Sequence, residues 1–144
     1  VRWLLLLLLC RLRLLRVLYL GGARVTNQGV SVLPGLSNLE VLTLNATRVG
    51  GTGLKILAHC PNLQILDLSR TEADDESMDF ACFLAKLRDV NLCNTRVTGN
   101  IAHLKSLPNL PEIYLRNTGV TGNKKAFQDS RKSAGLKRCG VYGM

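Results

Sequence analysis

The sequence predicts an α/β solenoid, a horseshoe arc with short parallel strands on its concave face and helices or irregular segments on its convex face. Three observations carry this expectation. Units begin at Leu15, Leu39, Leu63, Leu87 and Leu110, with a degenerate sixth at Leu136, so the starts are 24, 24, 24, 23 and 26 residues apart. Within each of the five full units the residues at offsets 0, 3 and 5 are aliphatic. A further apolar ladder, Val25, Val49, Ala73, Val97 and Val120, follows at the same later offset. No unit of this kind can bury its three strand residues alone, so neighbours must stack until the core is continuous. At 144 residues and 15.8 kDa there is room for one such array and not for two full domains.

The units read LRVLYLGGARV, LEVLTLNATRV, LQILDLSRTEA, LRDVNLCNTRV and LPEIYLRNTGV. They resemble leucine-rich repeats, whose L-x-x-L-x-L core they match over essentially the whole chain. The resemblance implies repeats at 15–38, 39–62, 63–86, 87–109 and 110–135. Residues 1–14 are then a truncated repeat or N-terminal cap, and 136–144 a degenerate last repeat. Where the family usually turns an Asn inward after the strand, this chain has Ala23, Thr47, Thr71, Thr95 and Thr118. Threonine hydroxyls can satisfy backbone groups in a similar way. Asn27-Gln28-Gly29-Val30 and Gly50-Gly51-Thr52-Gly53-Leu54 resemble the helix entry of cysteine-containing or ribonuclease-inhibitor-like repeats, which implies convex helices. Leu57-Ala58-His59-Cys60-Pro61-Asn62-Leu63 resembles the repeat junctions of F-box leucine-rich proteins. Val97-Thr98-Gly99-Asn100-Ile101 and Val120-Thr121-Gly122-Asn123 are similar to plant and algal repeats, whose convex side is more irregular.

At the N-terminus, Leu5, Leu8, Leu9 and Leu12 fall at helical spacings, which predicts the last helix of a truncated unit or a cap. The run from Leu4 to Cys10 is far shorter than the roughly 20 residues of a membrane helix. Arg11, Arg13 and Arg16 stand where a signal peptide would place its cleavage site. The acidic run Glu72, Asp74, Asp75, Glu76 and Asp79 precedes Phe80–Leu87 and predicts favourable charge at a helix N-terminus. Its spacing lacks the calcium-loop pattern D-x-D-x-D-G. Near the C-terminus, Gln128–Ser133 predicts a short helix before a final strand over Leu136–Tyr142, with Cys139 as its inward residue.

Hydrophobic residues make up 47% of the chain and aromatics only 5%, so the core must be aliphatic. The net charge of +9 is uneven: +5 over residues 1–24, −2 over 25–115 and +6 over 116–144. Lys124, Lys125, Arg131, Lys132, Lys137 and Arg138 therefore form a candidate polyanion-binding set, with Phe127 and Tyr142 as the nearby rings. Arg48, Glu72 and Arg96 share one offset, forming a solvated charge ladder. Five cysteines without a C-x-x-C fit neither a full disulfide framework nor a zinc module. They point to a reducing, intracellular location, with the cytoplasm as the expected compartment.

Strand side chains alternate, so offsets 2, 4 and 6 should face the concavity. The first column is Val17, Val41, Ile65, Asp89 and Glu112; the second is Tyr19, Thr43, Asp67, Asn91 and Tyr114; the third is Gly21, Asn45, Ser69, Cys93 and Arg116. Three adjacent β-branched aliphatics on a solvent-facing surface are the most partner-like feature of the sequence. His59 and His103 have no nucleophile at a matching repeat position, and no dinucleotide or phosphate-binding glycine motif is present. The expected function is a non-enzymatic protein-interaction module with a concave binding face, no cofactor, no metal and no small-molecule substrate. A structural subunit of a large assembly, such as a ribonucleoprotein gripped through the basic ends, is a second reading. The substrate-recognition part of an F-box ubiquitin ligase is a third.

Overall fold

In the computed structural model, which describes residues 12–31, 33–78, 83–102, 109–136 and 138–144, six short strands form one parallel sheet in sequence order. They are β1 (Val17–Tyr19), β2 (Val41–Thr43), β3 (Ile65–Asp67), β4 (Asp89–Asn91), β5 (Glu112–Tyr114) and β6 (Gly140–Tyr142). The first five begin at offset 2 of their units and pair in register, so Leu18, Leu42, Leu66, Val90 and Ile113 lie side by side. Leu42, Leu44, Leu66, Leu68, Val90, Leu92, Ile113 and Leu115 are buried with Leu39, Leu63, Leu87 and Leu110 in one aliphatic core. This is the solenoid that the repeat spacing predicts.

Each strand is short because the chain turns at the same place in every unit. The residue at offset 7 has left-handed backbone geometry: Gly22 (φ 69°), Ala46 (55°), Arg70 (56°), Asn94 (57°) and Asn117 (56°). Glycine and asparagine accept that geometry readily, whereas alanine and arginine adopt it against a Cβ clash. One residue on, the threonines turn inward. Thr47, Thr71, Thr95 and Thr118 donate to the carbonyls of Leu44, Leu68, Leu92 and Leu115 at 2.6, 2.6, 2.7 and 2.7 Å.

Backbone bonds then join the units a second time beneath the turns. Arg48, Glu72, Arg96 and Gly119 donate their N–H groups to Val25, Val49, Ala73 and Val97 at 2.8–3.1 Å. Gly50 lies where this seam is tightest, because a Cβ there would be 2.7 Å from the Glu72 carbonyl oxygen. At the strand entrances Asn38, Asn62 and Asn109 donate across units to the carbonyls of Arg13, Ser37 and Ala85 at 2.7, 2.7 and 2.6 Å.

The convex side carries α1 (Asn27–Val30), α2 (Gly51–Leu54), α3 (Asp75–Met78) and α4 (Lys124–Ser133), with 3-10 turns at Leu33–Gly35 and Lys55–His59. Helix α3 starts within the acidic run rather than after it. Asp74 accepts from the N–H and hydroxyl of Ser77 at 3.1 and 2.8 Å, which caps that first turn. Asp79, Phe80 and Cys82 lie outside the described residues, as do Leu5, Leu8, Leu9, Cys10, His103 and Lys137. Leu12 is described, and it is non-helical and half exposed. Helix α4 starts at Lys124, ahead of the expected Gln128, because Asn123 caps it by accepting from Ala126 N–H at 3.0 Å. The longest described helix thus belongs to a unit whose resemblance implies irregular structure.

The sixth rung also departs from the expected register. Gly140, Val141 and Tyr142 pair with Glu112, Ile113 and Tyr114, so Val141, not Cys139, takes the inward position. The long α4 delays the strand by two residues. Cys139 is buried just before β6, where its N–H donates to Gln128 Oε1 at 3.1 Å and its carbonyl accepts from Gln128 Nε2.

Two neighbouring substitutions should act in opposite directions in urea unfolding. Arg70→Gly removes the left-handed penalty and should stabilise by about 1 kcal/mol. Thr71→Val leaves the buried Leu68 carbonyl without its hydroxyl partner and should destabilise by about 1–3 kcal/mol.

Candidate functional site

The sheet register turns the three offsets into continuous columns across the concave face. Val17, Val41, Ile65, Asp89, Glu112 and Gly140 form one line, and Tyr19, Thr43, Asp67, Asn91, Tyr114 and Tyr142 form the next. Val17 and Ile65 are each 41% exposed, Val41 between them is half-buried, and Tyr19 is 71% exposed. A β-branched strip therefore lines the first three strands, open to solvent although Leu42 and Leu66 beside it are buried.

Charge takes over on the next strands. Asp89 is half-buried and has no hydrogen-bond or ion-pair partner among the described residues. Burial raises its pKa above the ordinary carboxylate range, and the charges of Glu112 and Asp67 raise it further. Asp67 folds back onto its own turn, accepting from Ser69 N–H at 2.9 Å, and Asn91 does the same for Cys93 N–H at 3.0 Å. Glu112 accepts the Tyr114 hydroxyl at 2.6 Å, and this hydrogen bond is the main cause of a Tyr114 pKa pushed up to about 12. Tyr114 stacks on Tyr142 with centroids 5.0 Å apart and planes at 17°, closing the C-terminal end of the face. A shallow concavity of about 380 Å³ joins Val41, Ile65, Asp67, Asp89 and Tyr114. Arg116 is exposed at the strand exit, and Cys93 is half-buried in the column beside it.

The basic C-terminal residues separate into two groups. Lys124, Lys125, Lys132 and Arg138 line a cavity of about 940 Å³ between α4 and β6, with Tyr142 on its wall. Arg131 does not join them. It is fully buried, its guanidinium 5.8 Å from the Phe127 ring centroid and donating to the Leu110 carbonyl at 3.3 Å. The sequence placed Arg131 with the polyanion set, but its side chain closes the end of the core and is out of reach of phosphate.

Glu72 makes no ion pair with Arg48 or Arg96. The described inter-unit pairs are Arg16–Glu40, with Nε 2.8 Å from Oε1, and Lys55–Glu76 at 2.6 Å. Among the described residues no cluster of His, Cys, Asp and Glu side chains is arranged to hold a metal. No described helix is long and apolar enough to cross a membrane. Cys60 and Cys139 are buried free thiols whose pKa burial pushes up to about 11, which keeps them protonated and unreactive at neutral pH.

Neither a protein-family model nor a curated protein matches the chain. Solved structures do. Internalin C2 of Listeria monocytogenes superposes on 79% of the chain with a TM-score of 0.70 and 29% identity. The leucine-rich-repeat ectodomain of the receptor kinase SOBIR1 from Arabidopsis thaliana superposes on 88% with a TM-score of 0.60 and 21% identity. The chain has the leucine-rich repeat fold. A third neighbour, the leucine-rich-repeat ectodomain of the Arabidopsis thaliana receptor kinase GASSHO1/SCHENGEN3, was solved in complex with CASPARIAN STRIP INTEGRITY FACTOR 2. It superposes on 85% of the chain with a TM-score of 0.61 and 22% identity. This leucine-rich repeat chain spans 47% of the internalin chain, 67% of the SOBIR1 chain and 15% of the GASSHO1/SCHENGEN3 chain.

The raised Asp89 pKa gives a signed expectation for the leucine-rich repeat array. Folding penalises the ionised carboxylate, so stability falls as pH rises through the carboxylate range and is regained on acidification. Asp89→Asn should therefore raise the thermal midpoint at pH 7, and the difference from the parent should shrink as pH falls below about 4.

Proposed function

We propose that this leucine-rich repeat chain is a non-enzymatic protein-interaction module that grips its partner on the concave sheet. The observation that carries the reading is the exposed strip of Val17, Val41 and Ile65, aligned strand by strand on a face framed by Tyr19 and Tyr114. Exposed β-branched side chains in register, rimmed by polar and aromatic groups, are what a partner surface buries to advantage. The GASSHO1/SCHENGEN3 ectodomain, on the same fold, was solved with a bound factor. Buried thiols and an odd cysteine count support a reducing, intracellular setting.

A second reading rests on the cavity lined by Lys124, Lys125, Lys132 and Arg138, which concentrates positive charge at one end of the array. It would anchor the chain to a polyanionic surface in a large assembly, through contacts that weaken steeply with salt.

Capture of a partner from the source proteome separates the two. Concave recognition predicts a protein retained at about 0.5 M salt, where screening acts within a few ångströms, and lost after Ile65→Asp. Uniform loss of RNA or acidic proteins on raising salt, with no effect of Ile65→Asp, would instead favour the basic cavity.

A further inference from the structure

On a chain of net charge +9, two of the three concave columns are the exception: the columns of Val17 and Tyr19 carry Asp67, Asp89 and Glu112 and no basic residue, while Arg116 lies in the third. The three carboxylates are on adjacent strands. Asp89 has no counter-ion among the described residues, and Glu112 is balanced only by a tyrosine hydroxyl. Like charges placed side by side on a sheet oppose folding. The same face changes character within one strand spacing, from the Val17–Val41–Ile65 strip to these acids, and the stacked tyrosines bound the acidic end.

We infer that the concave face recognises an extended, positively charged peptide segment in which lysine or arginine lies about three residues from a branched aliphatic side chain. This rests on the concave reading above and specifies its partner. The spacing follows from the sheet. With strands about 4.8 Å apart, the midpoint of Asp89 and Glu112 is about 10 Å from that of Val41 and Ile65, or about three residues of a polyproline-II-like extended chain at ~3.1 Å each, in which every third side chain points the same way. The aliphatic side chains of the segment pack on the strip and exclude water, while its cations face the carboxylates and the tyrosine rings. A polyanion laid along these two columns would meet only like charge, which disfavours nucleic acid there.

The test is fluorescence anisotropy on the full chain with labelled Gly-Lys-Lys-Ser-Val-Val-Gly and the same residues in reverse order. Control peptides replace both lysines by glutamate, replace both by asparagine, or separate the two pairs by three further glycines. One lysine peptide should bind, with affinity falling as salt rises, and every control should bind at least about tenfold more weakly. The double variant Asp89→Asn/Glu112→Gln should lose about tenfold in affinity for the lysine peptide. Glu72→Gln, which removes one negative charge away from the columns, should leave it unchanged, and circular dichroism confirms the fold of each variant. Equal binding of the glutamate peptide, no binding of either lysine peptide, or an unchanged affinity of the double variant would overturn the inference. If lysine peptides fail while a captured protein partner is still lost with Ile65→Asp, the concave reading stands and only its proposed partner chemistry falls. If capture ignores Ile65→Asp, the concave reading itself fails.

Discussion

The constraint on which the molecule depends is that no rung can hide its own leucines. Leu42 and Leu44 are buried because Leu18 and Leu20 lie on one side and Leu66 and Leu68 on the other. That mutual coverage requires every unit to rise along the same axis in the same register. The backbone enforces it in three parallel seams: the sheet itself, the bonds beneath the turns such as Glu72 N–H to Val49, and the asparagines at the strand entrances. The seams use carbonyls and amides that would otherwise be buried without partners, so stacking and polar satisfaction are achieved by the same geometry. The concave surface is a by-product, because the alternate side chains of each strand have no rung to bury them.

Much of this was legible in the residues. The offsets of the leucines fix which side chains go inward, and Val17, Val41, Ile65, Asp89 and Glu112 fall in one column as a direct consequence. The inward threonines were legible too, because Thr47, Thr71 and Thr95 stand where a short hydrogen-bonding side chain must meet the strand-end carbonyl. Two further ladders are present in the sequence. Gly22, Asn94 and Asn117 share an offset and favour left-handed geometry, and Asn38, Asn62 and Asn109 all directly precede a unit start.

Where the structure departs from the sequence pattern the cause is shared: tertiary packing overrides a local signal. Helix α4 is rich in lysine and starts earlier than its apolar residues indicate, because the capping role of Asn123 outweighs the weak apolar periodicity that follows it. Arg131 looks like one more surface cation, yet its long stem and fork reach the Leu110 carbonyl and fill the end of the core as a leucine could not. The leucine spacing starts the last rung at Leu136, but the length of α4 sets where β6 can meet β5. The mutual repulsion of Asp67, Asp89 and Glu112 emerges only after the register brings them together, since they are far apart in the chain.

The nearest-neighbour character of the seams has a kinetic corollary. Among the described strands β1 and β6 each pair on one side only, so opening fluctuations should begin there and travel inward, as in a zipper. Amides of β2, β3 and β4 would then exchange with solvent more slowly than those of β1 and β6. The junction between Ile65 and Asp89, where the concave face turns from apolar to acidic, belongs to that slow interior, so the surface offered to a partner is preorganised while the margins of the array breathe.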